Sequence, residues 1–264
     1  MKNLWIAKLY TFTLLVLLFA VPVFGQTPDY AGSPSDAADT DREPVFFIAL
    51  SAGPSIPQGT LANDFEFRDA PSGFAETGFS TDLEISYNID PAFGFTGKYR
   101  YARFQQNETA IAADLTRNKV GEFTAEINPW QFHVIALGPH FSLNNNQSFL
   151  NFYIAPAYAF ARLPQAVLKS NVDYHNTRYT VTHNSKKSSN IVFMLGSSFK
   201  YIFNERWGVT MSADYIAGRL SFSDIQYQSP DSPFQPEFEE RLNVGYTAIS
   251  AQAGVFFYLS KTYR

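Results

Sequence analysis

Apolar and polar residues alternate along eight segments of this chain, and this alternation constrains the fold more than any other feature of the sequence. In one segment Leu83, Ile85 and Tyr87 are apolar, and the two residues between them are polar. A period of two residues is typical of β-strands with one buried face. No segment after residue 44 carries an apolar stripe of helical period and length, so the chain is predicted to be all-β. The predicted strands are at about 45–55, 79–88, 92–105, 123–143, 148–162, 190–203, 207–221 and 244–259.

Short and long connections alternate between these strands. Segments 88–91, 144–147 and 204–206 are short and contain Asn, which favours tight turns. The other connections are long and span 56–78, 106–122, 163–189 and 222–243. In an up-and-down antiparallel sheet, every second connection lies at the same end. The tight turns are therefore predicted at one end of the sheet and the long loops at the other.

The first 44 residues differ in composition from the predicted strands. Lys2 and Lys8 precede an uncharged apolar run that ends at Phe24 and the small Gly25, and this order predicts a secretory signal peptide at 1–25. The alternative is a retained anchor helix, but the run is shorter than the roughly 20 residues that such a helix needs. Segment 26–44 is acidic and is predicted to be a disordered periplasmic tail. The strands belong to one domain at 45–264.

The two faces of the strands differ in chemistry. One face is almost purely apolar and aromatic, and the opposite face carries six charged residues: Asp82, Glu84, Lys98, Arg100, Lys200 and Asp214. If these charges point outward, the chain is a soluble lipocalin-like barrel. If they point inward, it is a lipid-embedded barrel with a polar lumen, closed because lipid offers no hydrogen-bond partners to a sheet edge.

The second possibility is favoured by the export signal, the even number of long strands and the aromatic residues near strand ends. Such residues form girdles at membrane interfaces, and this role is predicted for Trp130, Phe132, Tyr153, Tyr201, Trp207 and Tyr258. The predicted fold is an eight-stranded antiparallel up-and-down transmembrane β-barrel. Its turns are periplasmic and short, and its long loops are extracellular.

In this pattern the segment from about Val45 to Tyr263 resembles the small eight-stranded outer-membrane barrels of the OmpA/OmpX type and related outer-membrane β-barrel domains. The resemblance rests on architecture and covers the whole predicted domain. It implies the outer membrane of a Gram-negative cell, with membrane lipids, lipopolysaccharide and the outer-membrane insertion machinery as partners. Family members commonly end in an aromatic residue that assists assembly, whereas here Arg264 leaves Tyr263 penultimate.

Opposite charges lie near each other across the predicted hairpin of the second and third strands. With 89–91 as the loop, Asp82 lies opposite Lys98, Glu84 is diagonal to Lys98, and Ser80 lies opposite Arg100. Eight strands enclose a space that side chains just fill, so the charges are predicted to form a structural ion network in the lumen. A narrow passive pore is the alternative.

Composition excludes several classes of site. The chain has no Cys, so it has neither disulfides nor thiolate metal sites. Its His residues, His133, His140, His175 and His183, lack metal-ligand spacing, and neither a metal nor a cofactor is predicted. A net charge of -4 provides no basic surface for nucleic acid.

One pair of residues suggests a catalytic alternative. The pair resembles that of small outer-membrane barrels that are lipid A deacylases, which carry a His-x-Ser pair on a strand. His183 and Ser185 have that spacing, which places both side chains on one face of an extended segment. They lie in the longest loop, without an acidic residue before Glu205. We therefore predict a protein that is not an enzyme and keep an acyl hydrolase of this kind as the alternative.

The long loops are the predicted location of function, since loops on a rigid scaffold commonly carry binding. Segment 163–189 is basic, which suits anionic lipopolysaccharide, and its Tyr, Thr and Val residues predict a hairpin that extends the fifth and sixth strands. Segment 222–243 is acidic and rich in Pro. The predicted role is structural, or is surface binding or adhesion to an extracellular ligand of unspecified chemistry.

Overall fold

The computed structural model describes residues 45–63, 73–118, 123–145, 147–170, 180–183, 186–204, 206–225, 227–228 and 240–259. The predicted signal peptide (1–25), the predicted tail (26–44) and Ser185 lie outside these ranges. Within them, no helix has both the length and the apolar character needed to cross a membrane.

Eight of the described strands close into an antiparallel barrel, so the predicted eight-stranded antiparallel barrel is confirmed. Its strands are β1 (Val45–Pro57), β2 (Gly78–Asn88), β3 (Phe93–Phe104), β5 (Trp130–Asn144), β6 (Ser148–Arg162), β9 (Lys187–Ile202), β10 (Trp207–Ile225) and β12 (Glu240–Leu259). Their order around the barrel is β1-β12-β10-β9-β6-β5-β3-β2. The closure is made by β1, which pairs with β12 on one side and with β2 on the other.

The long connections contain structure of their own. A 3-10 helix (Gly59–Leu61) follows β1, and an α-helix, α1 (Glu108–Asn118), follows β3. A second sheet, here called the outer sheet, is made of β4 (Phe123–Ile127), β7 (Ala166–Ser170), β8 (Thr180–His183) and β11 (Tyr227–Gln228). Its strand order is β11-β8-β7-β4.

Three sequence predictions about these connections need correction. The strand predicted at 123–143 is two strands, because the chain leaves the barrel wall at Asn128 and Pro129, where the Asn128 amide donates to Gln165 O (3.0 Å). The hairpin predicted within 163–189 exists as β7 and β8, but it belongs to the outer sheet and does not extend the barrel strands. Helix α1 was not expected, since its sequence has no long apolar stripe; Asn107 caps it by accepting from the Ala110 amide (2.9 Å).

The three short turns share one local mechanism. In each, the oxygen of an Asx side chain accepts hydrogen bonds from the backbone N–H groups two and three residues later, which stabilises the turn locally. Asp90 accepts from Ala92 and Phe93 at 2.7 Å each, Asn145 from the amides of residues 147 and 148 at 3.0 and 2.8 Å, and Asn204 from those of residues 206 and 207 at 3.0 and 2.7 Å. These turns therefore form where the sequence predicts them, at one end of the barrel.

The register of the β2–β3 hairpin differs from the prediction by two residues. Asp82 pairs with Arg100 rather than Lys98, Glu84 pairs with Lys98, and Ser80 pairs with Ala102. The reason is the Asp90 side chain, which accepts hydrogen bonds from the Ala92 and Phe93 amides. Ala92 therefore belongs to the loop, and the loop is longer than predicted. A slip of two residues leaves every side chain on its predicted face, so the partners change and the faces do not.

The barrel has apolar side chains outside and charged side chains inside. On β5 the outward Leu137 is 65% exposed, whereas its neighbour Ala136 is 3% exposed. All six charged residues assigned to the polar face are buried in the interior. Exposed apolar residues around the wall include Ile48, Leu50, Leu83, Ile85, Phe95, Ile135, Ile154, Ile191, Phe193, Val209 and Val255.

Candidate functional site: a buried charge cluster

Six charged side chains from β2, β3, β9 and β10 meet in the barrel interior, and we call them the charge cluster: Asp82, Glu84, Lys98, Arg100, Lys200 and Asp214. Each lies on the inward face of its strand. Asp82 and Glu84 pair directly with Arg100 and Lys98 on β3, and Lys200 and Asp214 reach them across the interior from β9 and β10. Three carboxylates face three cations, so the cluster is balanced in formal charge.

Arg100 joins two of the carboxylates. Its Nε and Nη2 donate to the two oxygens of Asp82 at 2.7 and 2.6 Å, a bidentate contact between directly paired residues of β2 and β3. Nη2 also donates to Asp214, across the barrel on β10. Nη1 donates to the Ser250 hydroxyl at 3.3 Å. A planar guanidinium is suited to such forked contacts, and a lysine ammonium could not reproduce them.

Lys98 contacts all three carboxylates. Its Nζ lies 3.1 Å from Asp214, 3.4 Å from Glu84 and 3.5 Å from Asp82. It also donates to the hydroxyl of Tyr153 at 2.8 Å, and that hydroxyl donates in turn to Asp214. Asp214 is thus shared by Lys98, Arg100 and Tyr153, and it connects β10 to both cations of β3.

Lys200 completes the cluster towards the short-turn end. Its Nζ donates to Glu84 Oε1 at 2.6 Å and to the Ser198 hydroxyl at 3.2 Å, and it lies 5.4 Å from the centre of the Phe47 ring. The Ser86 hydroxyl donates to the same Glu84 oxygen at 2.8 Å. Taking charges out of water costs several kcal/mol per ion, so a cluster this buried depends on every partner being in place.

Polar side chains continue the network on both sides of the cluster. Gln252 donates to Ser80 at 2.8 Å and accepts from Ser51 at 3.1 Å. Nearer the short turns, His140 Nε2 lies 3.0 Å from Asn88 Oδ1, and its Nδ1 lies 2.9 Å from the Thr96 hydroxyl. Of these residues only Ser80 was predicted on the polar face, opposite Arg100, although the others also alternate with outward residues.

Apolar side chains close the interior at the short-turn end. The Phe47 ring packs edge-on against Phe149 and Phe256, with centroid distances of 5.0 and 5.6 Å. Tyr258 also packs against Phe47 at 5.4 Å. This aromatic group separates the charge cluster from that end of the barrel.

The half of the interior towards the long loops is also apolar, which differs from the polar lumen expected from the sequence. Phe132 and Tyr246 stack with centroids 4.0 Å apart, and Trp130 stacks on Phe132 at 5.7 Å. The indole of Trp130 donates to the Gly73 carbonyl at 2.8 Å, and Leu61 is fully buried in the same group. The described residues of the first long connection, around Leu61 and Gly73, therefore pack over this end of the barrel.

Four of the six predicted interface aromatics were wrong. Trp130 and Phe132 lie inside the barrel, and Tyr153 is part of the network around the charge cluster. At the start of β5, Trp130 and Phe132 form the apolar face and Gln131 and His133 lie on the opposite face, yet the apolar face points inward. The expectation that the apolar face of a strand meets lipid therefore fails there. For Tyr153 the signal existed, since it shares a strand face with Asn151 and not with Phe152 and Ile154. Tyr258 lies on the inward face of β12, where it pairs with Phe47 and packs against its ring. Tyr201 and Trp207 are 41% and 47% exposed on the outer wall; their interface role stays a prediction.

The structure does not place the two catalytic candidates in the barrel. The backbone of His183 lies in β8 of the outer sheet, opposite Tyr227, and Ser185 lies outside the described residues. His133 and His140 point to opposite faces of β5. In the described ranges no three His, Cys, Asp or Glu residues are grouped so that they could hold a metal ion.

No family model matches this sequence, and no curated protein matches it. Several solved structures are similar to it. Ail, the attachment invasion locus protein of Yersinia pestis, is 12% identical, with a TM-score of 0.37, over 81% of this chain and 97% of that one. The outer membrane protein OprG from Pseudomonas aeruginosa is 10% identical, with a TM-score of 0.46, over 81% and 95%. A major outer membrane protein from Thermus thermophilus is 13% identical, with a TM-score of 0.45, over 82% and 99%.

Proposed function

We propose that this chain is an outer-membrane β-barrel protein without enzymatic activity, whose closed, filled barrel holds a structured long-loop end at the cell surface. The observation that carries the proposal is the inverted polarity of the barrel. Leu137, Phe193 and Ile154 are among many large apolar side chains exposed on the wall, while six charges are buried inside. A monomeric protein in water rarely exposes an apolar surface so extensive, and a barrel in lipid must.

Strand length and closure support the same proposal. The barrel strands are 11 to 20 residues long, and a tilted transmembrane strand needs about 9–11. Closure leaves the barrel without a free edge, as hydrocarbon requires. The longer strands extend beyond the membrane on the side of the long loops, the side that also carries α1 and the outer sheet.

The first test is location. Expressed with its N-terminal segment in a Gram-negative host, the protein is expected in the outer-membrane fraction. It is expected to migrate differently on SDS gels before and after boiling, because a closed barrel resists SDS until it is heated. Recovery from the soluble periplasmic fraction would contradict the proposal.

The filled interior supports a structural barrel over a pore. Water would have to pass the aromatic group at Phe47, the charge cluster and the apolar group around Phe132. We expect no steady single-channel currents from the purified protein in planar bilayers. Lys98→Ala, which removes one charge from the cluster, serves as the control. If the wild type shows steady channels and Lys98→Ala abolishes them, the result would instead favour a narrow pore through the charge cluster.

A binding role at the long-loop end is supported by contacts among the residues of that end that the structure describes. Glu108 of α1 accepts from the Ile127 amide of β4 at 2.9 Å, and Lys169 pairs with Glu126 across the outer sheet at 2.8 Å. These contacts hold the helix and the sheet together as a defined surface. The hydrolase alternative has no comparable support among the described residues. Lipid A deacylation lost in Ser185→Ala would restore it.

A further inference from the structure

A row of basic side chains crosses the outer wall near the long loops. Arg103 of β3 pairs with Gln131 of β5, Gln131 with Arg162 of β6, and Arg162 with Lys187 of β9. These four residues are therefore neighbours across four adjacent strands. Arg103, Arg162 and Lys187 are exposed, and they lie on the face that is apolar elsewhere on these strands. We call the three cations the basic row.

The basic row lacks carboxylate partners in the described part of the chain. The ion pairs there involve the charge cluster and the exposed pair Lys169–Glu126, and none involves Arg103, Arg162 or Lys187. Three neighbouring cations repel one another, and an external anion would stabilise the arrangement. Their spacing thus favours a ligand that carries negative charge.

The wall directly below the basic row changes from polar to apolar. The next outward positions towards the short turns are Tyr101, His133, Phe160 and Ser189. His133 lies within hydrogen-bond distance of the Tyr99 hydroxyl, at 2.8 Å. Residues with an apolar body and a polar end are typical of the membrane interface. Below them the wall consists of residues such as Ile135 and Leu137. The basic row thus lies at headgroup depth in a barrel that spans lipid.

The dimensions of the basic row also fit a headgroup layer. Neighbouring strands are about 4.8 Å apart, so three strand spacings place about 14 Å between Arg103 and Lys187. Because barrel strands tilt by about 40°, the row is inclined and covers roughly 9 Å of depth. Long Arg and Lys side chains reach further, so one lipid headgroup can contact more than one cation.

We propose that Arg103, Arg162 and Lys187, with Gln131 between them, bind the phosphates of an anionic lipid in the leaflet that faces the long loops. This inference rests on the proposed function, since it requires the barrel to span the membrane. In an outer membrane that lipid is lipopolysaccharide, whose acyl chains would lie against the apolar wall below. Guanidinium groups form forked contacts with phosphate, and Gln131 adds an amide donor.

The test uses the full chain in phosphatidylcholine nanodiscs, with purified lipid A as the probe and binding followed by native mass spectrometry. The triple variant R103Q/R162Q/K187Q is expected to bind lipid A about a hundredfold more weakly, at about fivefold per cation. The control K169Q/R206Q removes two exposed cations elsewhere, one paired in the outer sheet and one at a short turn. It is expected to change affinity less than about twofold.

Two further results separate the inference from the proposed function. Insertion of the wild type into nanodiscs is measured first, from its heat-modifiable migration, and failure there refutes the membrane barrel itself. With insertion intact, lipid A from which the phosphates have been removed is expected to bind the wild type as weakly as intact lipid A binds the triple variant. Equal affinity of the wild type and the triple variant for intact lipid A, or no effect of phosphate removal, would overturn the inference.

Discussion

Asp214→Asn is expected to lower the free energy of unfolding by about 3–5 kcal/mol, the usual cost of removing one partner from a buried ion pair. Asp214 is fully buried and contacts Lys98, Arg100 and Tyr153. An amide keeps the size of the side chain but removes its charge. Three cations would then share two carboxylates in an interior that water does not reach.

The measurement is urea unfolding of the inserted protein, followed by the loss of the fast-migrating folded band on unboiled gels. Glu126→Gln is the matched control, because it also removes a carboxylate from a lysine pair. That pair is exposed, with the Lys169 and Glu126 side chains 50% and 71% accessible, and exposed pairs contribute only about 0–1 kcal/mol. Equal effects of the two substitutions would show that the charge cluster does not stabilise the barrel.

A second substitution tests the reason for that loss. Adding Lys98→Met to Asp214→Asn removes one stranded cation, so the double variant is expected to lose less stability than the two single losses combined. The difference is expected to be about 0.5–3 kcal/mol, the range found for directly contacting groups. Strict additivity would mean that Lys98 and Asp214 act independently, against the 3.1 Å contact between them.

Leu137→Arg is expected to destabilise the inserted barrel by about 2–4 kcal/mol, the cost of an arginine at the lipid face near the bilayer midplane. Leu137 lies near the middle of β5 and is 65% exposed on the outer wall. Nothing in the barrel interior changes, so the cost arises only from the surrounding lipid. The effect is measured by urea unfolding in phosphatidylcholine vesicles and by the yield of inserted protein.

Ile89→Arg is the control for this substitution. Ile89 is also an exposed apolar residue, but it lies in the turn between β2 and β3. There the expected cost is about 0–1 kcal/mol, because the side chain reaches water. In a soluble barrel both substitutions would be tolerated within about 0.5 kcal/mol, as is usual at exposed positions. Tolerance of Leu137→Arg would therefore contradict the membrane assignment.

The barrel strands and their tight turns could be predicted because their causes are local. Alternation along the segment around Leu83 and Ile85 identifies a strand and its faces, and Asp90, Asn145 and Asn204 close their turns with their own side chains. The predicted β2–β3 register was wrong by two residues, because the length of the loop depends on which backbone amides donate hydrogen bonds to the Asp90 side chain. A difference of that size does not alter the face on which a side chain lies.

The candidate site was predictable only as a set of residues. The sequence placed Asp82, Lys98 and Asp214 on the polar face, but their contacts join strands that are distant along the chain. Tyr153 was expected at the membrane interface and lies between Lys98 and Asp214 instead. Trp130 and Phe132 were misplaced because at this end of β5 the apolar face points into the barrel, while the outward face carries Gln131 and His133.

By itself, the sequence determined the strand pattern, the opposed chemistry of the strand faces and the ends at which short and long connections lie. These properties depend on neighbouring residues and on the period of two that a β-strand imposes. Only the tertiary structure decided which carboxylate meets which cation, that apolar groups close the interior on both sides of the charge cluster, and that Arg103, Arg162 and Lys187 form one row. The physical reason is closure: pairing β1 with β12 brings distant segments into one register, and contacts between them exist only in the closed barrel.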